Sequence, residues 1–101
     1  MSQQRRTIRV SPHTLHRELQ GEGVLLQLDT GEYFGLDEIA ERMWTLVVEH
    51  GDLAVVEAML LEEFEVEPDV LSRDLARLVD ELIARQLVDV TIDSDAQPSS
   101  W

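Results

Sequence analysis

The chain of 101 residues has no cysteine and no lysine, only three prolines and five glycines, and few aromatics. Without cysteine there is no disulfide framework, no thiolate metal site and no thiol nucleophile, which fits a reducing compartment. No apolar run approaches the roughly 20 residues needed to span a bilayer. The opening MSQQRRTIRV is charged but has no apolar segment behind it, so it does not read as a secretory signal. The expected location is cytoplasmic, with no membrane partner. Internal repeats and long linkers are also missing. Length therefore predicts one domain, placed at residues 1–92, followed by a disordered tail over 93–101.

A basic surface is the next absence. Net charge is -13. Residues 1–20 hold four Arg against one Glu, whereas residues 21–101 hold four Arg against 20 acids. An acidic body repels phosphate backbones, so nucleic acid is not an expected partner. It keeps the domain soluble and favours a neutral or basic partner.

Catalytic constellations are equally sparse. His13 and His16, with Glu18 close by, have a spacing that superficially resembles metal ligands, but Pro12 interrupts any helix there, and no metal or cofactor is expected. No Ser, His and Asp arrangement suggests a triad. Gly21-Glu22-Gly23 is a two-glycine turn, not a phosphate loop. The many carboxylates fall on solvated helix faces, and none lies in an evident apolar pocket that would raise its pKa. The chain reads as a non-enzyme.

What is present is a small hairpin followed by helices. Residues 24–36, VLLQLDTGEYFGL, alternate with the period of two of a strand, turn at Asp29-Thr30-Gly31, and return over Glu32–Leu36. Thr7–Val10 is a candidate first strand after a frayed 1–6, and Leu15–Leu19 is either a paired strand or an irregular link. Asp37 is a good N-cap for a first helix, with Ile39, Met43, Leu46 and Val47 on one face and Trp44 widening it. Gly51 is a C′ stop, and Asp52 starts a second helix with Val55, Val56, Met59 and Leu60 inward. Pro68 and Asp69 open a third helix over residues 69–86, striped by Leu71, Leu75, Leu78 and Leu82 and broadened by Val79 and Ile83. Residues 87–92 alternate again, as a short closing strand would. The expected fold class is α+β: a winged helix-turn-helix-like domain with an N-terminal three-stranded antiparallel sheet packed on three helices. A short sheet of this kind leaves a strand edge uncovered, which a small protein must either blunt or use.

The run VLLQLDTGEYFGLDEIAERMW, the EEFEVEPD link and the Leu-striped helix ending in QLV resemble the PqqD-like family. These are the peptide-recognition elements of pathways that modify ribosomally made peptides. The resemblance covers residues 8–90. The chain lacks the Pro-Glu pair before the third strand and the Cys-rich end of the first helix usual in the pyrroloquinoline quinone protein itself. It looks more like the free-standing members of lasso-peptide clusters. The resemblance implies an adaptor that binds a precursor's leader peptide and presents it to a leader peptidase and a macrolactam synthetase. The family's leader adds as a strand to the third strand and packs against the third helix. Carried onto this chain, the edge is Glu32, Tyr33, Phe34, Gly35 and Leu36, and the helix wall is Leu71, Asp74, Leu75 and Leu78. Main-chain bonding at an edge supplies affinity, and side-chain pockets supply specificity.

Two alternatives stand beside this reading. One is a chaperone of the PqqD type serving another modifying enzyme, such as a radical SAM enzyme. The other is a winged-helix DNA-binding regulator. Its recognition helix would be residues 69–86, where three Arg face four acids, a poor balance for entering a groove lined by phosphates.

Overall fold

The structure is a computed structural model that describes residues 4–94. Its element order is β1 (Gln4–Val10), β2 (Thr14–Leu19), β3 (Glu22–Gln27), β4 (Tyr33–Leu36), α1 (Glu38–His50), α2 (Leu53–Glu63), α3 (Pro68–Ala84) and β5 (Val88–Ser94). Strands β2, β3 and β4 form the expected three-stranded antiparallel sheet, in that order. Helix α1 lies against β3 and β4, α2 against α1 and β1, and α3 against α2 and β5.

Turn chemistry sets the register. Gln20 and Gly21 both have positive φ, 56° and 86°, as a two-residue hairpin turn matched to strand twist requires. Between β3 and β4 the Gln27 N–H donates to the Glu32 carbonyl (2.9 Å), while the Gly31 N–H donates to the Gln27 carbonyl (2.8 Å). Two residues thus oppose one, a bulge with Gly31 in the left-handed region at φ 77°. Beyond the bulge the pairs are Leu26 with Tyr33, Leu25 with Phe34, Val24 with Gly35 and Gly23 with Leu36.

Strand β1 departs from the expected frayed start. It leaves the three-stranded sheet and pairs with β5, from Gln4 opposite Ser94 to Val10 opposite Val88. Apolar pairs drive this: Ile8 and Val88 are buried, and Val10 and Val90 pack on the core. The closing strand consequently spans Val88–Ser94, where the sequence suggested 87–92. The rest of the expected tail, 95–101, lies outside the described residues.

The helix starts are local chemistry. The Asp37 carboxylate accepts from the Ala40 N–H at 2.8 Å, and that of Asp52 from the Ala54 N–H at 2.9 Å. Helix α3 ends two residues earlier than its apolar period suggested. Gln86 turns left-handed at φ 61°, and the Leu87 N–H reaches back to the Leu82 carbonyl at 2.9 Å. Leu25, Leu36, Met43, Trp44, Leu46, Val56, Leu60, Leu75, Val79 and Leu82 fill the core. Ile39 and Val55, expected inward, are exposed, as is Ile83.

One polar pair joins the sheet to α1 at the rim of the core. The His16 ring contacts Trp44 at 5.8 Å, and His16 Nε2 is 2.8 Å from Oε1 of the buried Glu41. A Cβ on Gly23, opposite Leu36, would overlap that carboxylate oxygen, so a larger residue there must push the Glu41 side chain away from His16. Gly23→Ala should therefore lose the His16–Glu41 bond, at a cost of about 0.5–1.5 kcal/mol. Urea unfolding of the single and double variants checks this: Glu41→Ala should cost less in the Gly23→Ala background than in the wild type.

Arg42 and Glu63 join α1 to α2 through two hydrogen bonds of 2.8 and 2.6 Å. The Arg42 guanidinium holds the Glu63 carboxyl below its ordinary value of 4.5, and Glu63 in turn raises Arg42. A lowered folded pKa means stability that is full above pH 4.5 and is lost as pH falls through the folded value. The pair is partly exposed, so the contribution is on the order of a few tenths of a kcal/mol to 1 kcal/mol. The stability gap between wild type and Glu63→Gln, measured by urea unfolding across pH, should vanish at the acid end.

Candidate functional site

Strand β4 has a hydrogen-bonding neighbour on one side only, β3. Antiparallel ladders alternate between residue pairs that exchange hydrogen bonds and pairs that do not. Because Gln27 bonds to Glu32, the bonded pairs that follow are Leu25 with Phe34 and Gly23 with Leu36. Tyr33 and Gly35 therefore turn their N–H and C=O groups outward, where no strand among the described residues receives them. The opposite edge, β2, carries Arg17 and Glu18, charges that blunt an edge. No charge sits within β4.

Side chains alternate in the other sense. Leu36 is buried in the core, while Phe34 stops half-buried at the mouth of a cavity of about 380 Å³ between β4, α1 and α3. Phe34, Ile39, Ala40, Met43 and Leu78 give this cavity its apolar lining, and Asp37, Asp74, Arg77 and Glu81 give it charge. Beside it the Arg85 guanidinium lies over the Phe34 ring, 5.0 Å from the centroid, with Nε 3.3 Å from Glu81 Oε1.

Gln27 ties the two sides of this site together. Its side chain is buried, and its Nε2 donates to the Gln86 carbonyl at 3.0 Å, just past the end of α3. Its Oε1 accepts from the Asp29 and Thr30 N–H groups of the hairpin turn. A polar residue on the inward face of a strand was the one signal in the sequence for this clamp.

The structure divides the expected site residues. Tyr33, Phe34 and Gly35 form the open edge, with only Phe34 pointing its side chain at the cavity. Tyr33, one residue out of phase, points to the outer face of the sheet and is 69% exposed. The backbone of Glu32 is used within the hairpin, its N–H on Thr30 and its carbonyl on Gln27. Asp74 and Leu78 line the cavity. Leu71 and Leu75 do not: both are buried on the side of α3 that packs into the core. The sequence reading missed Ile39, Met43, Arg77 and Arg85. His13 and His16 have separate partners, Asp29 and Glu41. No group of three metal-ligating side chains occurs among the described residues. A larger cavity, about 580 Å³, lies on the other flank of α1, between Glu18, Glu38, Glu41 and Glu63. It meets the charged edge strand β2 at Glu18, and its arginine, Arg42, is spent on Glu63. No described helix is long and apolar enough to cross a membrane.

An open strand edge beside a cavity, on a three-stranded sheet packed with three helices, defines an α+β domain of the winged helix-turn-helix type. The chain belongs to the family of coenzyme PQQ synthesis protein D (PqqD), whose pattern it matches over residues 22–88. Among solved structures it is similar to TbiB1 in complex with the TbiA(beta) leader peptide, at 30% identity and a TM-score of 0.76, over 80% of this chain and 94% of that one. It is similar also to a lasso peptide synthetase B1 complexed with its leader peptide, at 28% identity and a TM-score of 0.74, over 82% of this chain and 98% of that one. No curated protein matches.

The two leucines at 75 and 78 separate core from cavity. Leu75→Asp places a charge at a buried position and should abolish the cooperative thermal transition, at a cost above about 3 kcal/mol. Leu78→Asp should keep the fold, with a melting temperature close to the wild type by circular dichroism.

Proposed function

We propose that this protein is a non-catalytic adaptor that binds the leader segment of a ribosomally made precursor, of the lasso-peptide class, by strand addition to β4. The observation that carries this reading is the outward-facing backbone of Tyr33 and Gly35 directly beside the cavity of Phe34, Ile39, Met43 and Leu78. A leader strand there pairs its main chain with the edge, and every second side chain enters the cavity. The two similar structures, each holding a leader peptide, support the same reading and favour it over service to a radical SAM enzyme.

The adaptor would hand its peptide to a leader peptidase and a macrolactam synthetase in the cytoplasm. A surface for such an enzyme adjoins the docked strand. The sheet's outer face exposes Leu15, Leu19, Val24 and Tyr33, a larger apolar patch than single scattered residues account for. An added strand extends this face with its alternate side chains, so the enzyme meets protein and peptide together.

Fluorescence polarisation with a labelled leader peptide, from the short reading frame beside this gene, tests the reading; the core segment is the control. The leader should bind saturably and the core should not. No binding of the leader would reject it. Gly35→Pro removes one outward N–H without breaking a bond to β3, and should weaken the leader by up to about tenfold. Gly35→Ala, whose Cβ meets nothing within 4 Å, should bind like the wild type.

A further inference from the structure

The charges along the cavity are arranged with a direction. Asp74, Arg77 and Glu81 on α3, and Arg85 at its C-cap, recur at spacings of three and four, so they share one face of the helix. Asp74, Arg77 and Glu81 line the cavity, and Arg85 flanks it over Phe34. They differ in what they have left to offer. Glu81 is engaged with Nε of Arg85. The two terminal nitrogens of Arg85 make no hydrogen bond among the described residues, and neither Asp74 nor Arg77 has an ion-pair or hydrogen-bond partner there. The uncommitted charge is therefore negative at Asp74 and positive from Arg77 to Arg85. Asp37 adds a second carboxylate to the cavity lining, already used in part as the α1 cap.

Resting on the strand-docking reading above, we propose that this polarity fixes the register and direction of the docked leader. Arg85 selects an acidic leader side chain at the Phe34 end of the cavity, and Asp74 selects a basic one at the other. Asp74 and Arg85 are 11 residues apart, about 16 Å along a helix axis and so about five residues of extended strand. The selected peptide carries an apolar side chain on the Phe34–Leu78 floor, with an acidic and a basic residue separated by about that span.

The whole-molecule field makes this selection local. A body of net charge -13 repels an acidic peptide at long range. Of the four Arg in residues 21–101, Arg42 is committed to Glu63, while Arg77 and Arg85 both border the cavity. An acidic side chain is thus stabilised in one place along the edge and disfavoured elsewhere, which is how charge contributes specificity more than affinity. A backbone edge of two residues has little register information of its own. A strand displaced by two residues makes the same kind of main-chain bonds but leaves the charges unmatched.

The test is a charge scan of the full chain against the same labelled leader peptide, with each of the peptide's Asp and Glu residues replaced singly by Asn or Gln. Neutralising one acidic residue should weaken binding to the wild type about three- to tenfold, with no further loss in Arg85→Gln. Arg85→Glu should be rescued by Lys at that same peptide position. Asp74→Asn should couple in the same manner to one basic residue about five positions away. Circular dichroism establishes that each variant is folded. A merely structural role for Arg85 over the Phe34 ring would weaken every peptide by the same factor; that uniform loss, or no change on Arg85→Gln, overturns the proposal and leaves strand docking intact. Failure of the unmodified leader to bind the wild type rejects both.

Discussion

The separation between β4 and the end of α3 depends on one buried amide. Gln27 sits at an inward strand position where an aliphatic side chain would ordinarily pack, and it spans from the hairpin turn to the carbonyl of Gln86. An amide in such surroundings is stable only when its groups are bonded, and replacement by an apolar residue would remove all three bonds together. The clamp acts on two elements that meet only weakly otherwise. It keeps the hairpin from swinging away from α3, and so maintains the gap that Phe34, Leu78 and Arg85 border.

Within that frame, alternation assigns three jobs to four residues. Leu36 anchors the strand in the core, Phe34 supplies an apolar wall, and Tyr33 and Gly35 present main chain to solvent. No change of one residue in register could preserve this, because a shift of one exchanges every inward side chain for an outward one. The bulge at Gly31 holds the phase, since it inserts its extra residue before β4 begins. The edge is also short. Two outward-facing residues offer modest main-chain bonding, so side-chain contacts must supply the remainder of any affinity.

Much of this was legible from local chemistry. Asp37, Gly51, Asp52 and Pro68 each mark a helix boundary by a mechanism confined to a few neighbouring residues, and each lies where that mechanism places it. The hairpin and its open edge were legible from alternation and turn residues. The failures share a cause. Periodicity says that Ile39 belongs with Met43 and Leu46, but not that the sheet ends before reaching it, so its exposure depended on tertiary placement. Leu71, Leu75 and Leu78 form one stripe in the sequence, yet a stripe wider than the core contact must leave some members at its margin, and only packing decides which. The pairing of β1 with β5 joins opposite ends of the chain and has no local signature at all. The His16–Glu41 pair escaped notice because its two members are separated by 25 positions.

That terminal ribbon has an architectural consequence. Residues 4 and 94 stand opposite one another, and among the described side chains none of β1 or β5 lines the cavity beside β4. Entry and exit of the chain are adjacent and separate from the face where a peptide would dock. The domain is thus suited to insertion within a loop of a larger protein, to fusion at either terminus, or to circular permutation through a short linker joining β5 to β1. Evolution or a designer could couple it covalently to an enzyme without rebuilding its recognition surface.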